Sequence, residues 1–254
     1  PLHAEPGQQN MQRYQKYYEN YSAFASFKFL VDSFFERSRT GKLSLLNRQK
    51  DYAALHGQPE RFALHGALNE LVTRSQSEWA SYDYGSGYFY QSCEAIGLRG
   101  LRATGLRVQH MDLLKHVEGK TVLEIGCNSG FLSLAMAPSA KHVVGFDINP
   151  VLIEVANRVA GHLGLTNTDL SVCSFEDYQA AQASSGDQGA RFDAVLAFAN
   201  HSTFDGNTEQ TVHDFFQKCA SLTRPGGALL FESHPPEHEG DGLPGVVGTI
   251  ERYF

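Results

Sequence analysis

Residues Thr121 to Ala137 read TVLEIGCNSGFLSLAMA, and the rest of the chain is organised around them. Thr121 to Ile125 is a short apolar run with no polar face, the pattern of a strand buried on both sides in a parallel sheet. Gly126 breaks the strand, Cys127, Asn128 and Ser129 form a loop, and Gly130 leads into an apolar helix that stops near Pro138. A strand, a glycine turn and a helix start together cradle a polar ligand. Glycine lets the backbone come close, and the first N–H groups of the helix point at whatever is held there.

Lys141 to Phe146 reads as a second buried strand ending at Asp147, 21 residues past Gly126. At that spacing a carboxylate on the second strand tip can hold ribose hydroxyls. Dinucleotide sites share the arrangement, but their G-x-G-x-x-G pattern needs glycines where this chain has Gly126, Asn128 and Phe131. Glu124-x-Gly126-x-x-x-Gly130 instead resembles the first motif of class I S-adenosylmethionine (SAM) dependent methyltransferases. The resemblance continues through Asp147, Phe175-Glu176, Phe192-Asp193 and Pro225-Gly226-Gly227, covering roughly Leu98 to His234. It implies SAM as cofactor, held by Glu124, Gly126, Cys127, Asn128, Gly130, Asp147, Ile148, Phe175, Glu176 and Asn200. Relatives often carry an acid at the position of Ser174 that bonds the adenine amino group; serine leaves that contact to the Phe175 backbone or Glu176.

Working outward, 254 residues suit one large domain, or one domain plus a helical extension. A net charge of −7 argues against nonspecific nucleic-acid binding, which needs clustered cations. No run of 18 apolar residues and no signal peptide is visible, so the expectation is a cytoplasmic protein without a membrane partner. Cys93, Cys127, Cys173 and Cys219 are far apart and read as reduced thiols.

Residues 1–80 are expected to form a helical N-terminal region. Tyr14, Tyr17, Tyr21, Phe24, Phe27, Val31 and Phe34 fall on one helical face, and Pro59 suits the start of a helix carrying Phe62, Leu68, Leu71 and Val72. That aromatic face packs on the main domain, or forms a homodimer surface or an acceptor-binding lid. Ser81 to Ser92, SYDYGSGYFYQS, reads as a loop, too flexible for a helix and too polar for a core strand. It either covers the ligand, with Tyr84 and Tyr88 touching substrate, or simply connects. Arg99, Arg102 and Arg107 suit a carboxylate or phosphate on the acceptor or on SAM, and each alone also reads as a solvated arginine. Thr104 to Val117 reads as one helix.

Beyond Asp147, Asn149-Pro150 caps a helix ending before Gly164. Further strands are expected at Leu170–Cys173, Phe192–Ala197 and Ala228–Phe231, the last entered by a Pro225-Gly226-Gly227 turn. The alternation predicts an α/β, Rossmann-like, doubly wound and mainly parallel sheet of order 3-2-1-4-5 over residues 81–254, with the helical N-terminal extension before it. The family normally adds two strands, and 18 residues after Pro236 leave that hairpin incomplete.

Ligands in such a sheet bind beyond the C-terminal strand tips, where strand order reverses. His201, matching a position where relatives often carry histidine, is the first candidate for the base that deprotonates an acceptor hydroxyl. His234 and Glu232 are second candidates. Together with His238 these side chains could hold a metal, but no tight ligand spacing supports one. The leading expectation is methyl transfer from SAM to a small-molecule or saccharide acceptor. Its rivals are transfer of an aminopropyl or carboxymethyl group and a non-catalytic SAM-binding partner subunit.

Overall fold

A computed structural model describes residues 58–78, 89–184, 191–200, 211–232 and 242–254. Its centre is a five-stranded sheet of β3 (Thr121–Ile125), β4 (His142–Asp147), β5 (Thr168–Val172), β6 (Phe192–Phe198) and β7 (Thr223–Glu232), in the order β5-β4-β3-β6-β7. Every pairing is parallel. Counted from Thr121, this is the 3-2-1-4-5 order expected from the alternating pattern. A separate parallel pair, β1 (Phe89–Gln91) with β2 (Gly100–Arg102), was not foreseen.

Helices cover both faces, because each central strand is apolar on both sides. Val122, Val143, Ala194 and Leu196 pack on α3 (Leu113–Val117) and α4 (Phe131–Met136). Leu123, Ile125, Phe146 and Val195 pack with α7 (Val212–Leu222) through Phe215, Phe216, Cys219 and Leu222. Val246 of α8 (Gly242–Ile250) joins the same cluster. α5 (Pro150–His162) buries Val151, Val155 and Val159 against Leu68 and Leu71 of α1 (Pro59–Glu78), so that N-terminal helix shares its core with the sheet domain.

The capping rules hold at α5: Asn149 Oδ1 accepts from the Val151 and Leu152 N–H groups, at 3.0 and 3.3 Å. Three expectations need correction. Residues 89–91 are a strand, not loop, because Phe89 and Gln91 alternate inward and are both buried. Thr104 to Val117 is two helices, α2 (Thr104–His110) and α3, broken at Asp112 with φ +50°. Pro225-Gly226-Gly227 is a bulge inside β7, whose pairing jumps from Phe192↔Thr223 to Ala194↔Ala228.

That bulge and Asp193 lie at the N-terminal end of the sheet, away from the strand tips. Asp193 Oδ2 accepts from the Thr121 backbone N–H and hydroxyl, at 2.8 and 2.9 Å, and its other oxygen pairs with Arg224 at 2.6 Å. Burial pushes the Asp193 carboxyl up, but the Thr121 bonds and Arg224 outweigh it and hold the group below its ordinary value. These two sequence landmarks fasten the sheet.

Gly130, at φ +68°, sets how closely the loop packs on α5. A Cβ there would stand 2.7 Å from Ala156 Cβ and 3.0 Å from Leu170 Cδ1. Gly130→Ala should therefore cost about 2–4 kcal/mol, adding left-handed strain to overpacking. Ala156→Gly in the same chain should return part of that loss. Urea unfolding of the two variants checks this; a double variant no more stable than Gly130→Ala would place the whole effect in the backbone.

Candidate cofactor and acceptor site at the strand tips

The loop after β3 is held by the carboxylate at the tip of β4. Asp147 Oδ2 accepts from the Asn128 N–H and Oδ1 from the Asn149 N–H, each at 2.9 Å. Asn128 adopts φ +55°, which its short polar side chain supports by accepting from the Ser129 N–H at 2.7 Å. Gly126 turns at φ +65°, and a Cβ there would come within 3.1 Å of Asn200 Nδ2. The missing side chain thus leaves room for the Asn200 amide beside the turn.

Asn200, just past β6, donates from Nδ2 to the Ile125 carbonyl. Its Oδ1 is buried and has no hydrogen-bond partner, as is the Ser129 hydroxyl on the loop. Orphaned buried oxygens are costly and call for a ligand or solvent partner. Ala199, at φ +55°, makes the bend that carries the chain out of β6, with its N–H donating to the Glu232 carbonyl at 2.8 Å.

Glu124 faces the helix behind the loop. It is 4% exposed and accepts from the Ser133 hydroxyl. Burial raises its pKa to about 7, against the lowering effects of Ser133 and Arg107, and Asp147 adds to the rise. The Cys127 thiol is also buried, and desolvation followed by Glu124 and Asp147 pushes its pKa well above the ordinary value. Such a thiol stays protonated and is no nucleophile.

At the tip of β5 the side chains of Ser174, Phe175 and Glu176 meet partners within the protein. The Ser174 hydroxyl caps α6 (Phe175–Ser184), accepting from the Asp177 N–H at 3.0 Å and donating to the Asp177 carboxylate at 2.7 Å. The S-x-x-D spacing signalled this cap in the sequence. Phe175 turns its ring into the core, stacked with Phe146 and edge-on to Phe215. Glu176 reaches Lys218 on α7 at 3.3 Å. Ile148 is half-buried beside Asp147.

Of the three arginines Arg99, Arg102 and Arg107, the last reaches the strand tips. Arg107 pairs with Glu232 at the end of β7, its guanidinium 4.9 Å from the Phe198 ring centroid. Arg99 and Arg102 are exposed near β2. A clamp between β1 and α2 sets where Arg107 points. Ser92 Oγ accepts from the Thr104 N–H at 2.8 Å, and the Thr104 hydroxyl donates to the Ser92 carbonyl at 2.6 Å. Glu94 accepts from Ser92 Oγ at 2.5 Å and from the Gly105 N–H at 3.2 Å. Sequence spacing could not distinguish Arg107, because the clamp partners are brought together by the β1–β2 pairing. His201, His234, Tyr84 and Tyr88 lie outside the described residues.

The residues present fit a nucleoside with a polar tail: an acidic group at the second strand tip, a glycine turn beside it, and buried oxygens without partners. The buried acid gives a test of the electrostatics. With its folded pKa raised to about 7 from 4.5, Glu124 keeps a proton that the unfolded chain has released, so stability falls as pH rises through that window. Glu124→Gln can still accept from Ser133 but has no proton to lose. It should match the native chain at about pH 4 and exceed it at pH 8, by on the order of 3 kcal/mol at most. Urea unfolding across pH measures the gap; an offset independent of pH would refute the assignment.

Residues 116–242 match the family described as Methyltransferase domain. A ubiquinone biosynthesis O-methyltransferase of Azoarcus sp. (strain BH72) is 34% identical over 132 residues, 50% of each chain. The same-named protein of Chelativorans sp. (strain BNC1) is 34% identical over 122 residues, 46% of this chain and 41% of that one. The chain thus spans about half the length of the curated relatives it matches. Among solved structures, the bifunctional kinase-methyltransferase WbdD aligns at TM-score 0.47 and 21% identity, over 59% of this chain and 34% of that one. The N-methyltransferase NodS from Bradyrhizobium japonicum WM9, in complex with S-adenosylhomocysteine, aligns at TM-score 0.46 and 18% identity, over 58% and 73%. The family match covers half of the sequence and contains the whole five-stranded sheet, so the chain belongs to the methyltransferase domain family, of the class I kind that takes SAM as methyl donor.

Proposed function

We propose that the protein transfers the methyl group of SAM to a hydroxyl on a small-molecule or saccharide acceptor. The observation that carries this reading is the tie between Asp147 and the Asn128 N–H. It sets a carboxylate and a side-chain-free turn side by side at the reversal point of the sheet. The hydroxyl acceptor is supported by the relatives, which are described as O-methyltransferases.

Asp147 holds the ribose hydroxyls, and the main chain of Gly126 to Asn128 lies along the donor. Asn200 and Ser129 offer oxygens to its polar groups. When bound, SAM supplies an electrophilic methyl on a sulfonium, and displacement there is in line. The chain's main contribution is to place the acceptor oxygen opposite the leaving sulfur. His201 directly follows Asn200, whose amide is fixed to the tip of β3, and takes the acceptor proton. Glu232 is paired with Arg107, and that contact fixes its position and suits it to orienting an acceptor hydroxyl. His234, two residues further on, is the alternative base. Tyr84, Tyr88, Arg99 and Arg102 extend the acceptor side in this reading, with residues 1–80 as a covering helical region.

Asp147→Ala should weaken S-adenosylhomocysteine binding tenfold or more in calorimetric titration. The loss is that of a charge-assisted bond of about 1.5–3 kcal/mol together with a slackened loop. A folded variant with native affinity would sink the cofactor assignment.

His201→Ala should leave S-adenosylhomocysteine affinity within about threefold and reduce turnover of a hydroxyl acceptor by roughly 10²–10⁴. Single-turnover assays across pH should also lose the limb that rises through the histidine titration. Native turnover in the variant would move the base to His234, or point to an amine acceptor that arrives neutral.

A further inference from the structure

Among the described residues, three buried side-chain oxygens lack a hydrogen-bond partner: those of Ser129, Asn200 and Gln91. The first two belong to the crevice already described. Gln91 does not follow from the methyltransferase motifs, and it sits in a segment the sequence presents as a tyrosine-rich loop.

Two anchors fix where Gln91 lies. Phe89 and Gln91 are alternate residues of β1 and share its buried face. The Phe89 ring meets that of Phe131 at 5.4 Å between centroids, and Phe131 is the first residue of the helix that follows the glycine loop. On the other side, Ser92 clamps the start of α2, and α2 carries Arg107 to Phe198 and Glu232 at the strand tips. Gln91 therefore stands between a contact with the loop-bearing helix and a contact with the tips of β6 and β7. The amide is 5% exposed, a burial that ordinarily demands a partner for its oxygen.

We infer that Gln91 binds the amino-acid end of the donor, its Oε1 accepting from the ammonium group. In that reading ribose is held from the tip of β4, and the α-amino acid remains as a donor–acceptor pair. An amide presents the complementary acceptor and donor on one edge. The donor thus satisfies an oxygen that the fold leaves bare.

The inference rests on the SAM reading above, and its test separates the two. Gln91→Met keeps length and volume but removes the amide. Calorimetric titration compares S-adenosylhomocysteine with 5′-methylthioadenosine, which lacks the amino-acid end. The variant should bind S-adenosylhomocysteine about tenfold more weakly and methylthioadenosine within twofold of the native protein. Its ligand-free unfolding midpoint should be unchanged or higher, since an apolar side chain replaces an unpartnered polar one. Equal loss for both ligands, no loss for either, or a ligand-free midpoint lowered by several degrees would overturn the assignment and make Gln91 structural. A native protein that binds neither ligand would overturn the SAM reading itself. Gln91→Asn, which withdraws the same amide by one methylene, should also lose affinity for S-adenosylhomocysteine alone; native affinity there would argue against direct contact.

Discussion

The two N–H groups that converge on the Asp147 carboxylate are the interaction on which the rest of the site depends. One comes from Asn128 in the loop after β3 and the other from Asn149 at the start of α5. A charged acceptor bonded to backbone donors is stronger than a neutral pair, and here it ties two crossover connections to one strand tip. With the bond from the Ser129 N–H to the Asn128 side chain, it holds the left-handed turn at Asn128 beside Gly126. The same carboxylate is the group the SAM reading needs for ribose, so the loop's support and the ligand's anchor are one residue.

The two ends of the sheet are used differently. At the N-terminal end, Asp193, Thr121 and Arg224 satisfy one another and leave nothing for a ligand. At the C-terminal end the chain leaves the oxygens of Asn200 and Ser129 buried without partners. A fold that pairs its polar groups tightly at one end and leaves them bare at the other concentrates its unmet hydrogen-bonding capacity where parallel strands already gather ligands.

Charge reinforces that division. Glu124, Asp147 and Glu232 stand at or behind the tips, and Arg107 is the cation that reaches among them from the described residues. Arg107 is directed there by Phe198 and by the Ser92–Thr104 clamp, so a helix outside the sheet sets the balance of charge inside the crevice. Glu124 meets the same balance from below, its carboxyl raised by burial and restrained by Ser133 and Arg107. Among the described residues no helix is long and apolar enough to cross a membrane.

The sheet was legible in the sequence because its signals are local. Buried strands announce themselves as short apolar runs, and Asn149-Pro150, Gly126 and Gly130 act through their own backbone geometry. Alternation of strand and helix, with right-handed crossovers, then left little freedom in the order. What the sequence could not decide was which polar residues would find partners, since that depends on groups far apart in the chain. Arg107 meets Glu232 across 125 residues, and Asp193 meets Thr121 across 72. Phe175 followed the local motif to the right strand tip, yet tertiary packing turned its ring inward, and Ser174 spent its hydroxyl on a helix start. Composition made residues 89–91 look like loop; pairing with β2 and burial against Phe131 made them a strand. Periodicity and turn chemistry determined the frame, and only the meeting of distant side chains decided which of its polar groups remain to bind.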